Sequence, residues 1–141
     1  RSDECERLIA QINAGRAHVE QVGAEMVEKG GDDLEARARA LEAVAGTIVD
    51  EGFATPDLQR LSGFYVSIAI TQAKVLRSMN AALEKQDEAA LEVATGHYTQ
   101  LGQQEDVVVE EINMQCRGQT GEPPAPPSPS PSPSAGPTPS P

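Results

Sequence analysis

Residues 83–92 read LEKQDEAALE, and the fold depends on how those ten residues are taken. They hold neither glycine nor proline, so one helix could run straight through them. Such a helix would leave its apolar seam unpaired within the chain. A tight turn at Lys85–Asp87, with Asp87 capping the helix that follows, folds the seam back on itself. The turn is the reading adopted, and it makes the chain a helical bundle.

Outward from that turn, apolar residues recur at helical spacing in four segments. In the first, Leu8, Ile12, Gly15, Val19, Val22 and Met26 form a heptad-like seam that Gly30 and Gly31 should stop. Asp32 then reads as an N-cap, with Glu35 completing a capping box. The second carries Leu34, Ala38, Leu41, Val44 and Ile48 and should end before Gly52. The third opens on TPDL, residues 55–58, with Thr55 placed to cap and Pro56 suited to the first helical position. Its seam is Leu58, Leu61, Tyr65, Ile68, Gln72, Val75 and Met79. The fourth has Leu91, Ala94, Tyr98, Leu101, Glu105, Val108 and Ile112, and Gly118 should close it. The expected fold is all-α: an antiparallel up-down-up-down four-helix bundle over residues 1–118. A disordered or polyproline II tail over residues 119–141 should follow it.

In that topology the start of the first helix and the end of the fourth share one end of the bundle. Cys5 and Cys116, the only cysteines, fall at those two places. Periodicity and cysteine placement are independent signals, and both point to an intrachain disulfide. The chain-entropy account makes closure of so long a loop worth roughly 4–5 kcal/mol. A structural disulfide implies an oxidising compartment, secreted or at the cell surface, with the periplasm as the alternative. The chain opens on Arg1 rather than Met, as expected of a processed or trimmed chain.

Two polar residues, Gln72 and Glu105, interrupt the seams. With Cys5 level with Cys116, Glu105 comes level with Arg16, the partner an inward carboxylate needs. Arg16–Glu105 is therefore the candidate polar core pair. It is expected to fix register, with a small mid-bundle pocket as the other possibility.

The charge pattern excludes some functions. The net charge is −11, and every charged residue lies at or before Glu122. A surface that acidic repels phosphate, so no nucleic acid partner is expected. No apolar run reaches the length of a membrane span, so no membrane insertion is expected either. No catalytic motif occurs, and Glu4 and Glu6 flank Cys5, which disfavours a reactive thiolate. No metal site and no cofactor are expected. The sole candidate haem ligands are Met26 and His97.

The third helix contains FYVSIAI, residues 64–70. At 100° per residue, Val66, Ile70 and Ala73 form a second apolar stripe pointing away from the seam. Such a stripe is a candidate homo-oligomer interface, unless the third helix sits centrally in its own bundle.

Ten of the eleven prolines lie between Pro123 and Pro141, alternating with serine. Such a segment cannot form a core and extends at about 3.1 Å per residue. Ser128, Ser130, Ser132, Ser134 and Thr138 are candidate O-glycan acceptors beside proline. The SPSPSPS run resembles the Pro/Ser modules of cell-wall glycoproteins. The C-x-x-L-I and I-N-x-x-C ends resemble uncharacterised secreted helical proteins bracketed by two cysteines. The two-cysteine likeness identifies no activity. The expectation adopted is a secreted, non-enzymatic structural or adhesive subunit, and repeated contact through the third-helix stripe would build it into an extracellular filament or surface coat. The competing expectations are a four-helix binder of haem or metal and a chaperone-like module.

Overall fold

The computed structural model describes residues 2–28 and 34–120, with side chains over 3–25 and 34–118. Four helices make up nearly all of it: α1 (Ser2–Glu28), α2 (Leu34–Glu51), α3 (Pro56–Lys85) and α4 (Glu88–Thr120). No strand occurs among the described residues. At 1.5 Å per residue, α2 is about 27 Å long, whereas α3 and α4 reach about 45 and 50 Å. The expected stop at Gly30–Gly31, the Asp32 cap and residues 121–141 of the expected tail lie outside the described residues, as does the side chain of Met26.

The decisive turn forms where LEKQDEAALE required it. α3 ends at Lys85, and Gln86 adopts the left-handed conformation (φ 55°). The backbone N–H of Gln86 donates to Leu83 O and that of Asp87 to Ala82 O. Asp87 Oδ1 then accepts the Ala90 N–H at 3.1 Å, capping α4. A non-glycine residue thus serves as the C-cap, which is why no glycine marks the turn in the sequence. At its other end α4 passes through Gly118 to Thr120, two residues beyond the expected stop.

Neighbouring helices are antiparallel. Arg7 pairs with Glu51, while Gly15 faces Val44 farther along α1 and earlier along α2. Arg77 pairs with Glu35 between α3 and α2. α3 occupies the centre. It packs along α2 and α4 and also touches α1, whereas α2 and α4 do not meet among the described residues. α1 lies more closely against α2 than against α4.

The core follows from this arrangement. At the cysteine end all four helices converge on Leu8, Ile12, Ile48, Leu58, Leu61 and Ile112, each at most 2 % exposed. Full burial of such a side chain contributes about 1.5–3 kcal/mol. Phe53, in the α2–α3 connection, closes this end. Toward the other end the core divides into an α2–α3 seam around Ala38, Ala73 and Leu76 and an α3–α4 seam around Val75, Ala94 and Leu101.

The second stripe on α3 must be corrected accordingly. Ala73 is fully buried in the α2–α3 seam, and Val66 is half-buried against the core. Ile70 alone of the three is exposed. The stripe is apolar because α3 is covered on two faces by its own chain.

The α2–α3 corner is braced from a distance. Gly52 takes a positive φ of 68°, which glycine accepts without strain. Thr55 sits at the N-cap position of α3 and Pro56 at its first turn, but the Thr55 hydroxyl makes no capping bond. It donates instead to Glu4 Oε1 on α1 at 2.6 Å. The Ala54 and Thr55 N–H groups also donate to the Glu4 carboxylate, at 2.6 and 3.1 Å. These bonds, the Thr55 hydroxyl's first, hold the Glu4 carboxyl down to about 2.

Two expectations follow. A Cβ on Gly15 would fall 2.5 Å from Val44 Cγ1, so the α1–α2 approach requires glycine. Gly15→Ala should destabilise by about 1–3 kcal/mol in urea, despite alanine's better helix propensity. Combined with Val44→Ala, the loss should be smaller than the sum of the two single losses. The second concerns acid. An unfolded chain protonates Glu4 near its ordinary value of 4.5, whereas the folded carboxyl resists until about 2. The brace therefore contributes fully above about 4.5 and is lost as pH falls toward 2. Glu4→Gln should lower stability at neutral pH and flatten the loss across that window, as read by urea midpoints against pH.

Candidate functional site

The seam-breaking residues meet halfway along the bundle. Tyr65 and Gln72 are seven residues apart on α3 and so share a face. Both are buried, and both turn toward Glu105 on α4. Tyr65 Oη donates to Glu105 Oε2 at 3.3 Å, and Gln72 Nε2 donates to Oε1 at 3.1 Å. Arg16 reaches across from α1 and places Nε 3.1 Å from Glu105 Oε2. Its Nη2 donates to Asp106 Oδ1 at 3.0 Å. The expected Arg16–Glu105 pair is therefore formed, and Gln72 joins it.

The environment explains why the cluster is tolerated. The Glu105 side chain is only 15 % exposed, yet its two oxygens accept two hydrogen bonds and one of them also pairs with Arg16. A carboxylate so placed loses little of the solvation it gives up. Burial, reinforced by the Glu105 charge, pushes the Tyr65 phenol above its ordinary range. It therefore remains a protonated donor at any physiological pH. Arg16 stays partly in water, 39 % exposed, which keeps its own cost small.

Beside this cluster lies a cleft of about 190 Å³ lined by all four helices. Gly15, Val19 and Glu20 line it from α1, Leu41 and Val44 from α2, and Tyr98 from α4, with the polar cluster at its floor. The cleft is smaller than the roughly 300–1,000 Å³ of typical ligand pockets, with room for a very small polar molecule, and its wall is mixed in polarity.

Other expected positions lie apart from it. Cys5 and Cys116 form a disulfide, with Cα atoms 5.5 Å apart. His97 is exposed, on an outer α3–α4 groove with Val93 and Ala94, and does not reach the cleft. No group of three or more His, Cys, Asp or Glu able to hold a metal occurs among the described residues. No described helix is long and apolar enough to cross a membrane.

A second charged site was not anticipated from the sequence. Arg77 on α3 donates from Nε and Nη2 to both oxygens of Glu35, at 2.9 and 3.0 Å. Its Nη1 and Nη2 also reach Glu42, at 2.6 and 3.0 Å. The fork is bidentate to two carboxylates on α2, and only arginine's planar geometry allows it. Hydrogen bonds from Arg77 lower the pKa of both acids. Glu35 and Glu42 are seven residues apart on one face of α2, which is the one signal for the site visible in the sequence.

No protein family model matches the chain, and neither the curated proteins nor the solved structures provide a match.

Arg16→Met should cost about 1–2 kcal/mol, less than for a fully buried pair, because Arg16 keeps contact with water. Adding Glu105→Leu should recover part of that loss by removing the stranded charge. Chemical denaturation of the two variants checks both signs.

Proposed function

We propose that the chain is a non-enzymatic structural or adhesive domain exported to an oxidising compartment, outside the cell or at its surface. The observation that carries this reading is the disulfide between Cys5 and Cys116, which joins the two ends of the helical region. Such bonds persist where thiol reductants are absent. The non-enzymatic part draws support from the chemistry already spent. Both cysteines are bonded to one another, and the buried donors around Glu105 are occupied by it.

A subunit of this kind needs a contact face. The stripe Val66–Ile70–Ala73 no longer supplies one, since two of its members face inward. Phe64 on α3 and Val107 and Met114 on α4 are each more than half exposed. Arg60, Leu61, Glu111 and Met114 border one groove between those helices. Phe64 and Val107 lie one turn along from Arg60 and Glu111, so they extend that groove. This surface is the one we assign to self-association or adhesion. The Pro/Ser segment leaves from the disulfide end and is proposed to be an O-glycosylated spacer through Ser128, Ser130, Ser132, Ser134 and Thr138.

The cleft beside Glu105 favours one second reading, a small-ligand binder. A small polar molecule retained by protein from its native source, seen by native mass spectrometry, would favour this reading over a structural subunit.

Native material should give one linked Cys5–Cys116 peptide pair in a non-reducing digest. Its intact mass should exceed the sequence mass by whole sugar units. Two free thiols would remove the basis for export, and an unmodified mass would reduce the tail to a bare spacer.

A further inference from the structure

The two ends of the helical region are connected twice. One connection runs through all four helices and the other is a single S–S bond. Cys5 is the fourth residue of α1, and four residues follow Cys116 in α4. The cysteines are 111 positions apart in sequence, yet their Cα atoms are separated by 5.5 Å. Tension applied to the segments flanking the two cysteines takes the short covalent path, because the long one is slack by comparison.

We infer that the Cys5–Cys116 bond makes the bundle a force-shielded domain, through which tension passes without loading the four helices. This rests on the structural-subunit reading above, and it says what such a subunit withstands.

The geometry shows what the bond prevents. α1 and α4 are antiparallel, so their loaded ends emerge side by side. A pull there acts across the helix axes and breaks contacts one turn at a time. The seam it would open is α1–α4, where packing is sparser than along α1–α2. Beyond the cysteines, that seam relies on Leu8, Ile12, Val108 and Ile112, then on the Arg16 ion pairs. The bond stands ahead of all of these, at the point where peeling would start. Cys5 is 1 % and Cys116 4 % exposed, so the bond itself is sheltered by the fold.

Single-molecule pulling of the full chain, with handles fused to both ends, tests the inference. The oxidised sample is first verified by mass. It should extend only by its flanking segments, with no unfolding step. Dithiothreitol supplies two electrons and two protons, converts the bond to two thiols, and closes to its own cyclic disulfide. The reduced chain should then be longer at high force by about 370–400 Å, the extended reach of 111 residues. Cys5→Ala with Cys116→Ala should show the same gain without reductant. A bundle that unfolds once reduced still gives the longer contour, so loss of folding does not obscure the result. The same gain from the verified oxidised protein would overturn the inference, as would equal lengths before and after reduction. Free thiols in native material would overturn both this inference and the export reading, whereas a failed pulling test on the verified oxidised protein overturns this inference alone.

Discussion

The bond between Cys5 and Cys116 closes a seam of the bundle that packing alone holds only loosely. α1 joins the structure chiefly through α2, drawn close at Gly15, where Val44 fills the space a Cβ would need. Against α4 it has the cysteine end and, farther along, Arg16. Arg16 also lines the cleft beside Glu105. A covalent link at one end and a charged link in the middle thus join α1 to α4. In the chain-entropy account, a loop of this length contributes roughly 4–5 kcal/mol by restricting the unfolded chain. That is comparable to much of a small domain's net stability.

α3 is the axis of the remainder. Small residues, Ala69 and Ala73, let α2 approach one side, while Tyr65, Gln72 and Val75 serve the side toward α4. A helix covered on two faces has little exposed surface to make polar, which accounts for the apolar density of FYVSIAI. The Glu105 cluster sits on this axis and draws on three helices at once. Sliding any one of them by a turn would strand a buried carboxylate, so the cluster sets register as well as contributing to stability.

Much of this was legible in the sequence, for specific reasons. Seam positions such as Leu8, Ile48, Leu58 and Ile112 were readable because burial follows helical period. Arg16 could be placed opposite Glu105 because two paired cysteines fix the level of two antiparallel helices. Asp87 was readable as a cap because the bond it makes is local. What escaped was long-range and non-periodic. Glu4 braces a corner fifty residues away, and that bond takes the Thr55 hydroxyl from its expected capping role. Phe53 enters the core from a connection, where no periodicity announces it. Ala73 looked like part of an outer stripe because a sequence does not show which faces of a helix its neighbours cover.

The arginines carry a further consequence. Arg7, Arg16, Arg39, Arg60 and Arg77 each face a carboxylate within the same chain. Their positive charge is thus largely committed internally, and the field at a distance is that of a body carrying −11. Two copies approaching one another meet mainly like charge, felt over about 10 Å at 0.1 M ionic strength and about 30 Å at 0.01 M. A self-association of the kind proposed above would therefore strengthen as salt is added, the reverse of an interface built on ion pairs.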